Sequence, residues 1–165
     1  MKLFKWFIAG VCFFYFIQTN SLVFGRDLSN RLGLGFVNQF SNSSSNRPLP
    51  ALSAKYGLTK DLHFLAALGV STTDPTALTI GGKVFKNLFY ETNLNFYSMA
   101  GLAYLSERET GIEVLAGVGA EFFIPGLESL GLSFETGLSL SNITGSFALK
   151  TIGFSFLHAG IHFYF

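Results

Sequence analysis

The sequence predicts an all-β fold, an eight-stranded antiparallel up-and-down transmembrane barrel preceded by a cleavable signal peptide. Three observations lead there. Beyond Arg26, large apolar residues take every second position; Pro48, Pro50, Pro75 and Pro125 all fall between the alternating runs; and the chain opens on two lysines followed by an apolar stretch. Alternation is the period of a strand. Proline between runs removes a backbone donor where no ladder bond is lost.

The opening stretch reads as an export signal over residues 1–25, leaving 26–165 as a single barrel domain. Lys2 and Lys5 form a basic n-region, Phe7 to Ile17 an apolar h-region, and Val23-Phe24-Gly25 a cleavage site ending in a small residue. The h-region is shorter than the ~20 residues a helix needs to cross a bilayer. Ala9-Gly10-Val11-Cys12 is a poor lipobox, because Val11 stands where a small residue should precede the cysteine. Cys12 is the single cysteine, so cleavage leaves no thiol for a disulfide, a zinc site or a nucleophile. Losing Lys2 and Lys5 takes the formal charge from +1 to −1, which offers nucleic acid no attraction.

Eight runs follow. In the first, Leu32, Leu34 and Phe36 oppose Arg31, Gly33 and Gly35; in the second, Leu52, Ala54, Tyr56 and Leu58 oppose Ser53, Lys55 and Gly57. The third sets Leu62, Phe64, Ala66, Leu68 and Val70 against His63, Leu65, Ala67 and Gly69. The fourth, about Leu78 to Leu88, blurs in phase near Phe85, and the fifth, about Leu94 to Leu105, puts Phe96 and Tyr104 opposite Gly101. In the sixth, Ile112 to Phe122 oppose Glu113, Gly117, Gly119 and Glu121; in the seventh, Leu130 to Leu140 oppose Gly131, Ser133, Glu135 and Gly137. The last closes with Leu157, Ala159, Ile161, Phe163 and Phe165 opposite His158, Gly160, His162 and Tyr164. An even strand number is what a bacterial single-chain barrel requires.

Glycine decides which face is inside. The face opposite the bulky residues is crowded with glycine, which suits the narrow lumen of a small barrel and would make a poor water-facing surface. Charged residues are 13% and aromatics 16%, with 20 phenylalanines, so the bulky face is expected to meet lipid. A closed barrel also satisfies every backbone group where lipid cannot. The reading fails if Leu132, Phe134 and Phe163 point inward. With both termini periplasmic, Thr59-Lys60-Asp61, Glu91-Thr92 and Ile124 to Ser129 become periplasmic turns. Ser41 to Pro50, Ser71 to Thr76, Ser106 to Thr110 and Ser141 to Lys150 become external loops. Tyr56, Phe64, Phe96, Phe122 and Phe163 then form a periplasmic aromatic girdle, with Phe36 and Tyr104 toward the outside.

At the C-terminus, Leu157, Ile161 and Phe163 lead to a terminal Phe165, with a phase change between Phe156 and Leu157 of the kind a bulge makes. This resembles the signal by which the barrel-assembly machinery recognises outer-membrane barrels. With Tyr56-Gly57-Leu58-Thr59 as a strand-to-turn exit, the chain resembles the OmpA/OmpX-like group of small eight-stranded barrels. The resemblance implies export to the bacterial outer membrane, contact with its lipid and lipopolysaccharide, passage through the assembly machinery, and a monomer.

Arg31, Lys55, Lys83, Glu113, Glu121 and Glu135 fall on the expected lumen face, where unpaired charge is costly, so they are read as an ion network filling the barrel. No cofactor, metal or catalysis is expected. His158 and His162 lie four strand residues apart, roughly 13 Å, too far to share an ion. No His-x-Ser arrangement suggests a lipid hydrolase. Gly33-Leu34-Gly35 and Gly117-Val118-Gly119 open no helix and are strand glycines. The functional expectation is a structural or surface-interaction barrel with a side-chain-filled lumen. A narrow solute channel and a soluble lipocalin-like lipid-binding barrel are its alternatives.

Overall fold

The computed structural model describes residues 25–37, 49–143, 145–152 and 158–165. Its strands are β1 (Leu32–Val37), β2 (Ala51–Gly57), β3 (Leu62–Ser71), β4 (Ala77–Glu91), β5 (Leu94–Ser106), β6 (Thr110–Ile124), β7 (Leu127–Ile143), β8 (Ser146–Thr151) and β9 (His158–Tyr164). From β1 to β7 each strand pairs antiparallel with the next. β7 then carries β8 along Leu138–Ile143 and β9 along Leu130–Glu135, while β9 pairs with β1. β8 and β9 therefore share one flank of β7 as a single eighth stave, and the sheet closes into an eight-staved barrel.

Two connections differ from the sequence reading. Ser141 to Lys150 is not a loop: β7 runs on to Ile143, turns through Gly145 at φ 81°, and returns as β8. Loop-like Asn142 and Ser146 masked the alternation that Phe147 and Leu149 continue. Ile124 to Ser129 shrinks likewise to a tight turn, since β6 reaches Ile124 and β7 starts at Leu127, with Gly126 at φ 84°. Such two-residue hairpins need positive φ, which Asn93 (φ 62°) also supplies between β4 and β5. In β4 the phase holds through Phe85 and breaks between Asn87 and Phe89, where the register shifts. Residues 1–24 of the expected leader, residues 41–46 and Leu157 with its phase change lie outside the described residues. On either side of that change, Glu135 pairs with His158 and Leu138 with Thr151.

The pairing register fixes the bore. From Gly35 the ladder runs one way through Ser53, Ala67, Gly81, Ala103 and Glu113 to Ser141. The other way it runs through His162 to Gly131, so the two routes meet β7 ten residues apart. A shear of ten over eight staves, with the usual strand spacing and rise, gives a tilt of about 41° and a backbone radius of about 8 Å. That bore is wide enough for side chains meeting at the axis and little more.

Alternation then sorts the side chains. Leu102, Val114 and Leu138 are 57%, 52% and 53% exposed on the outer wall, and Phe134 and Phe163 point outward with them. Inside lie Phe85, Tyr97, Met99, Leu115 and Tyr164, among which sit Lys55, Lys83, Glu113, Glu121 and Glu135, all 3% exposed or less. The interior is mixed, with Val37, Leu65, Phe85, Met99, Leu105 and Leu115 in one buried apolar cluster beside the charges, while the large apolar side chains of the other parity cover the outside.

The segment before β1 crosses the end of the barrel where Phe165 lies. β1 and β5 are four staves apart in either direction, hence diametrically opposed. From Arg31 at the foot of β1, the chain reaches Asn95 on β5, which receives the Arg26 amide on Oδ1 (3.0 Å) and donates Nδ2 to the Arg26 carbonyl (2.9 Å). The chain turns at Asn30 (φ 59°), where the Arg31 amide donates to the Leu28 carbonyl at 3.1 Å and the Asn30 amide to the Gly57 carbonyl at 2.7 Å, and crosses the barrel end from there. Midway, Leu28 is buried with Phe123 and Tyr164. Arg26 also pairs with Glu128 at 2.6 Å. Gly57 admits this strap, because a Cβ there would stand 2.0 Å from the Leu28 carbonyl oxygen.

Candidate functional site

The interior charges are gathered into two clusters that reach across the lumen. Lys55 stands on β2 and Glu121 on β6, opposite walls of the barrel; their Nζ and Oε2 meet at 2.7 Å, with side chains 2% and 1% exposed. Only a long ammonium stem and a carboxylate together cover that bore. Tyr164 Oη donates to the other Glu121 oxygen at 2.6 Å, so the carboxylate is served on both sides. The Lys55 ammonium also lies 4.6 Å from the Phe85 ring centroid and 5.1 Å from that of Tyr97, within cation–π range. Beside this cluster, Ser53 Oγ and His162 Nε2 are 2.9 Å apart.

The second cluster joins β4, β5, β7 and β9. Lys83 Nζ lies 2.5 Å from Glu135 Oε2, Tyr97 Oη donates to Glu135 Oε1 at 3.2 Å, and His158 Nδ1 approaches Oε2 at 3.0 Å. An ionised carboxylate only accepts, so this last contact requires the proton on Nδ1. Nδ1 then cannot also accept from Lys83, 3.4 Å away. Tyr97 links the clusters, its ring against Lys55 and its hydroxyl on Glu135.

Of the six residues the sequence reading placed in the lumen, four form these two ion pairs. Arg31 sits at the strap end, its Nη2 donating to the Tyr164 carbonyl at 3.2 Å. Glu113 is buried nearer the opposite end, in register with Ala103 and Ser141. Of the four residues that the sequence reading assigned to an assembly signal, Ile161, Phe163 and Phe165 point outward along the last stave and Leu157 lies outside the described residues. Sequence reasoning missed Tyr97, Phe85 and Ser53 as members of the network. Parity held the signal, since each shares a face with an inward charge or glycine.

Glycines make the room these groups need. A Cβ on Gly33 would come 2.6 Å from the Tyr164 ring, and one on Gly131 2.8 Å from Glu121 Oε1. On Gly119 it would stand 2.7 Å from the Tyr97 ring. Each inward tyrosine thus lies over a position with no side chain. Among the described residues, no group of three or more His, Cys, Asp or Glu is placed to hold a metal ion.

At the strap end, outside this network, Asp61 accepts from Tyr90 Oη at 2.5 Å and pairs with Lys86 at 3.2 Å. The tyrosine hydroxyl, and then Lys86, hold its carboxyl below the usual carboxylate range.

Fold and interior together define a class: a small, closed, antiparallel β-barrel with a lipophilic outer wall and an interior cross-braced by buried ion pairs. No protein-family model, curated protein or solved structure matches the chain.

Proposed function

We propose that this chain is a small outer-membrane β-barrel of a Gram-negative bacterium, of the OmpA/OmpX-like kind, with a structural or surface-interaction role. It is exported on the residue 1–25 signal peptide and inserted through recognition of its terminal Phe165. The observation that carries the reading is the inverted wall: leucine, valine and phenylalanine cover the outside while Lys55–Glu121 and Lys83–Glu135 occupy the bore. In water such a surface would be one continuous apolar patch; in a bilayer it is the required one. The same placement speaks against the lipocalin arrangement, which needs the bulky face to enclose its ligand. The cross-braced interior favours a barrel that holds its shape over one that passes solutes.

The test is heat-modifiable mobility of the protein in purified outer membranes. A folded small barrel resists SDS until boiled and then changes mobility. Recovery in the periplasm without detergent defeats the proposal. Discrete conductance steps in planar bilayers would replace the structural role with a channel.

A further inference from the structure

Asn95 holds the main chain of one residue. Buried on β5 at 1% exposure, it receives the Arg26 N–H on Oδ1 at 3.0 Å and donates Nδ2 to the Arg26 carbonyl at 2.9 Å, so one amide side chain meets both the donor and the acceptor of the same residue. The Arg26 guanidinium adds a contact of its own, 2.6 Å from Glu128 at the start of β7. Beyond Arg26 the strap continues through Leu28, packed with Phe123 and Tyr164, and through Ser29, whose amide and hydroxyl both donate to the Asp27 carboxylate.

One residue earlier the fit ends. A Cβ on Gly25 would stand 2.3 Å from Cδ1 and 2.4 Å from Cβ of Tyr90. Tyr90 is held where it is: its hydroxyl donates toward Asp61 at 2.5 Å and the Lys60 carbonyl at 2.7 Å and receives Asn87 Nδ2 at 3.3 Å. Its Cβ, moreover, is not displaced by any change of rotamer. The site therefore recognises the chain from residue 26 onward and crowds what precedes it. The boundary falls on the bond that the sequence reading selects for removal of the leader.

We infer that Asn95 and Glu128 form a docking site for the barrel's own new N-terminus, the α-ammonium that cleavage of the Gly25–Arg26 bond leaves on Arg26. The inference rests on the export reading above and adds the fate of the cut end. In the hydrolysis, carried out by the peptidase that removes export leaders, the C–N bond breaks. Water supplies the oxygen that leaves on Gly25 as a carboxylate and the two protons that turn the Arg26 amide into an ammonium. An α-amine is mostly charged at neutral pH. The ammonium keeps a hydrogen for Asn95 Oδ1 and makes that bond charge-assisted, hence shorter and stronger. Capture of a chain-end amine by fixed acceptors is a general mode of recognition. Departure of residue 25 also relieves the crowding on Tyr90, so processing favours the closed strap in two ways.

Protein expressed from the full chain is purified, from membranes in mild detergent or from the periplasm without it, and its N-terminal residue is sequenced. Its α-amine is then acylated with a succinimidyl acetate at neutral pH, the extent being read on the N-terminal peptide by mass spectrometry. Acylation needs an unprotonated nitrogen free to turn toward the ester, so docking slows it. The chain should begin at Arg26 and react about tenfold more slowly than Asn95→Ala, the equivalent of one charge-assisted hydrogen bond. Asn95→Asp should slow the reaction about a further threefold, because a carboxylate meets an ammonium better than an amide does. If Asn95→Ala lacks heat-modifiable mobility, Glu128→Gln, at an exposed side chain, replaces it with an expected rise of about threefold. Equal rates in wild type and these variants, an N-terminus at another residue, or an intact leader on a heat-modifiable barrel overturns the docking site and leaves the barrel in the membrane. A protected Arg26 amine on protein recovered from the periplasm without detergent keeps the docking site and defeats the membrane reading.

Discussion

Replacing Glu121 by Gln isolates the cost of one cross-lumen ion pair. At 2.7 Å and an effective interior dielectric near 20, the Lys55–Glu121 attraction is about 6 kcal/mol. Glutamine keeps an acceptor for Tyr164 Oη and nearly the same volume, so the change removes charge and little else. The surroundings of Lys55 can relax in part, and the observed loss should fall to about 3–5 kcal/mol, the usual range for breaking a buried pair. With a urea slope of about 2 kcal/mol/M, the unfolding midpoint of the barrel in lipid vesicles should drop by about 2 M. Lys55→Met should cost a similar amount, and the double variant Lys55→Met/Glu121→Gln should recover much of it. A Glu121→Gln midpoint within 0.3 M of wild type, or single losses that simply add, would refute the claim that these charges sustain each other across the bore; the tolerance is about 0.6 kcal/mol at that slope.

Other consequences are open to direct measurement. Gly119→Ala should displace the Tyr97 ring, break its hydrogen bond to Glu135 and cost about 1–3 kcal/mol by urea unfolding. Leu28→Ala should cost about 2–4 kcal/mol and speed amide exchange in residues 26–30, because the strap loses its anchor on Phe123 and Tyr164. Val118→Arg, outward on β6, should cost about 2–4 kcal/mol if that wall meets hydrocarbon and almost nothing if it meets water, as vesicle refolding yields and midpoints would report. The folded-state pKa of Asp61 lies below its unfolded value, so its contribution is complete above the ordinary carboxylate range and fades as pH falls through the lowered value. Tyr90→Phe should move the Asp61 titration, followed by carboxyl NMR, back toward that range.

How far the sequence could be read depended on whether a feature was local. Strand faces are local: parity in Leu32–Leu34–Phe36 or Ile112–Val114 needs no knowledge of neighbours, and the structure places these residues outward. Parity likewise put Lys55, Lys83, Glu121 and Glu135 inside. Their partners were not legible, because pairing across a lumen depends on the shear, which only the closure of all staves sets. The divided eighth stave was missed because Asn142 and Ser146 have loop composition while the ladder to β7 continues through Asn142–Phe147 and Ile143–Ser146. The tyrosine network could have been found, since Tyr97 and Tyr164 share parity with inward charges and glycines stand where their rings need space.

The cross-lumen pairs also bear on how such a barrel finds its correct closure. Sliding one stave by two residues keeps every side chain on its proper face, so hydrophobicity alone scarcely distinguishes the mistake. It would, however, carry an ammonium some 6 to 7 Å away from its carboxylate and leave both ions stranded without water. Wrongly wound rings are thus penalised from within, by ions that could reconcile their charges at only one circumference.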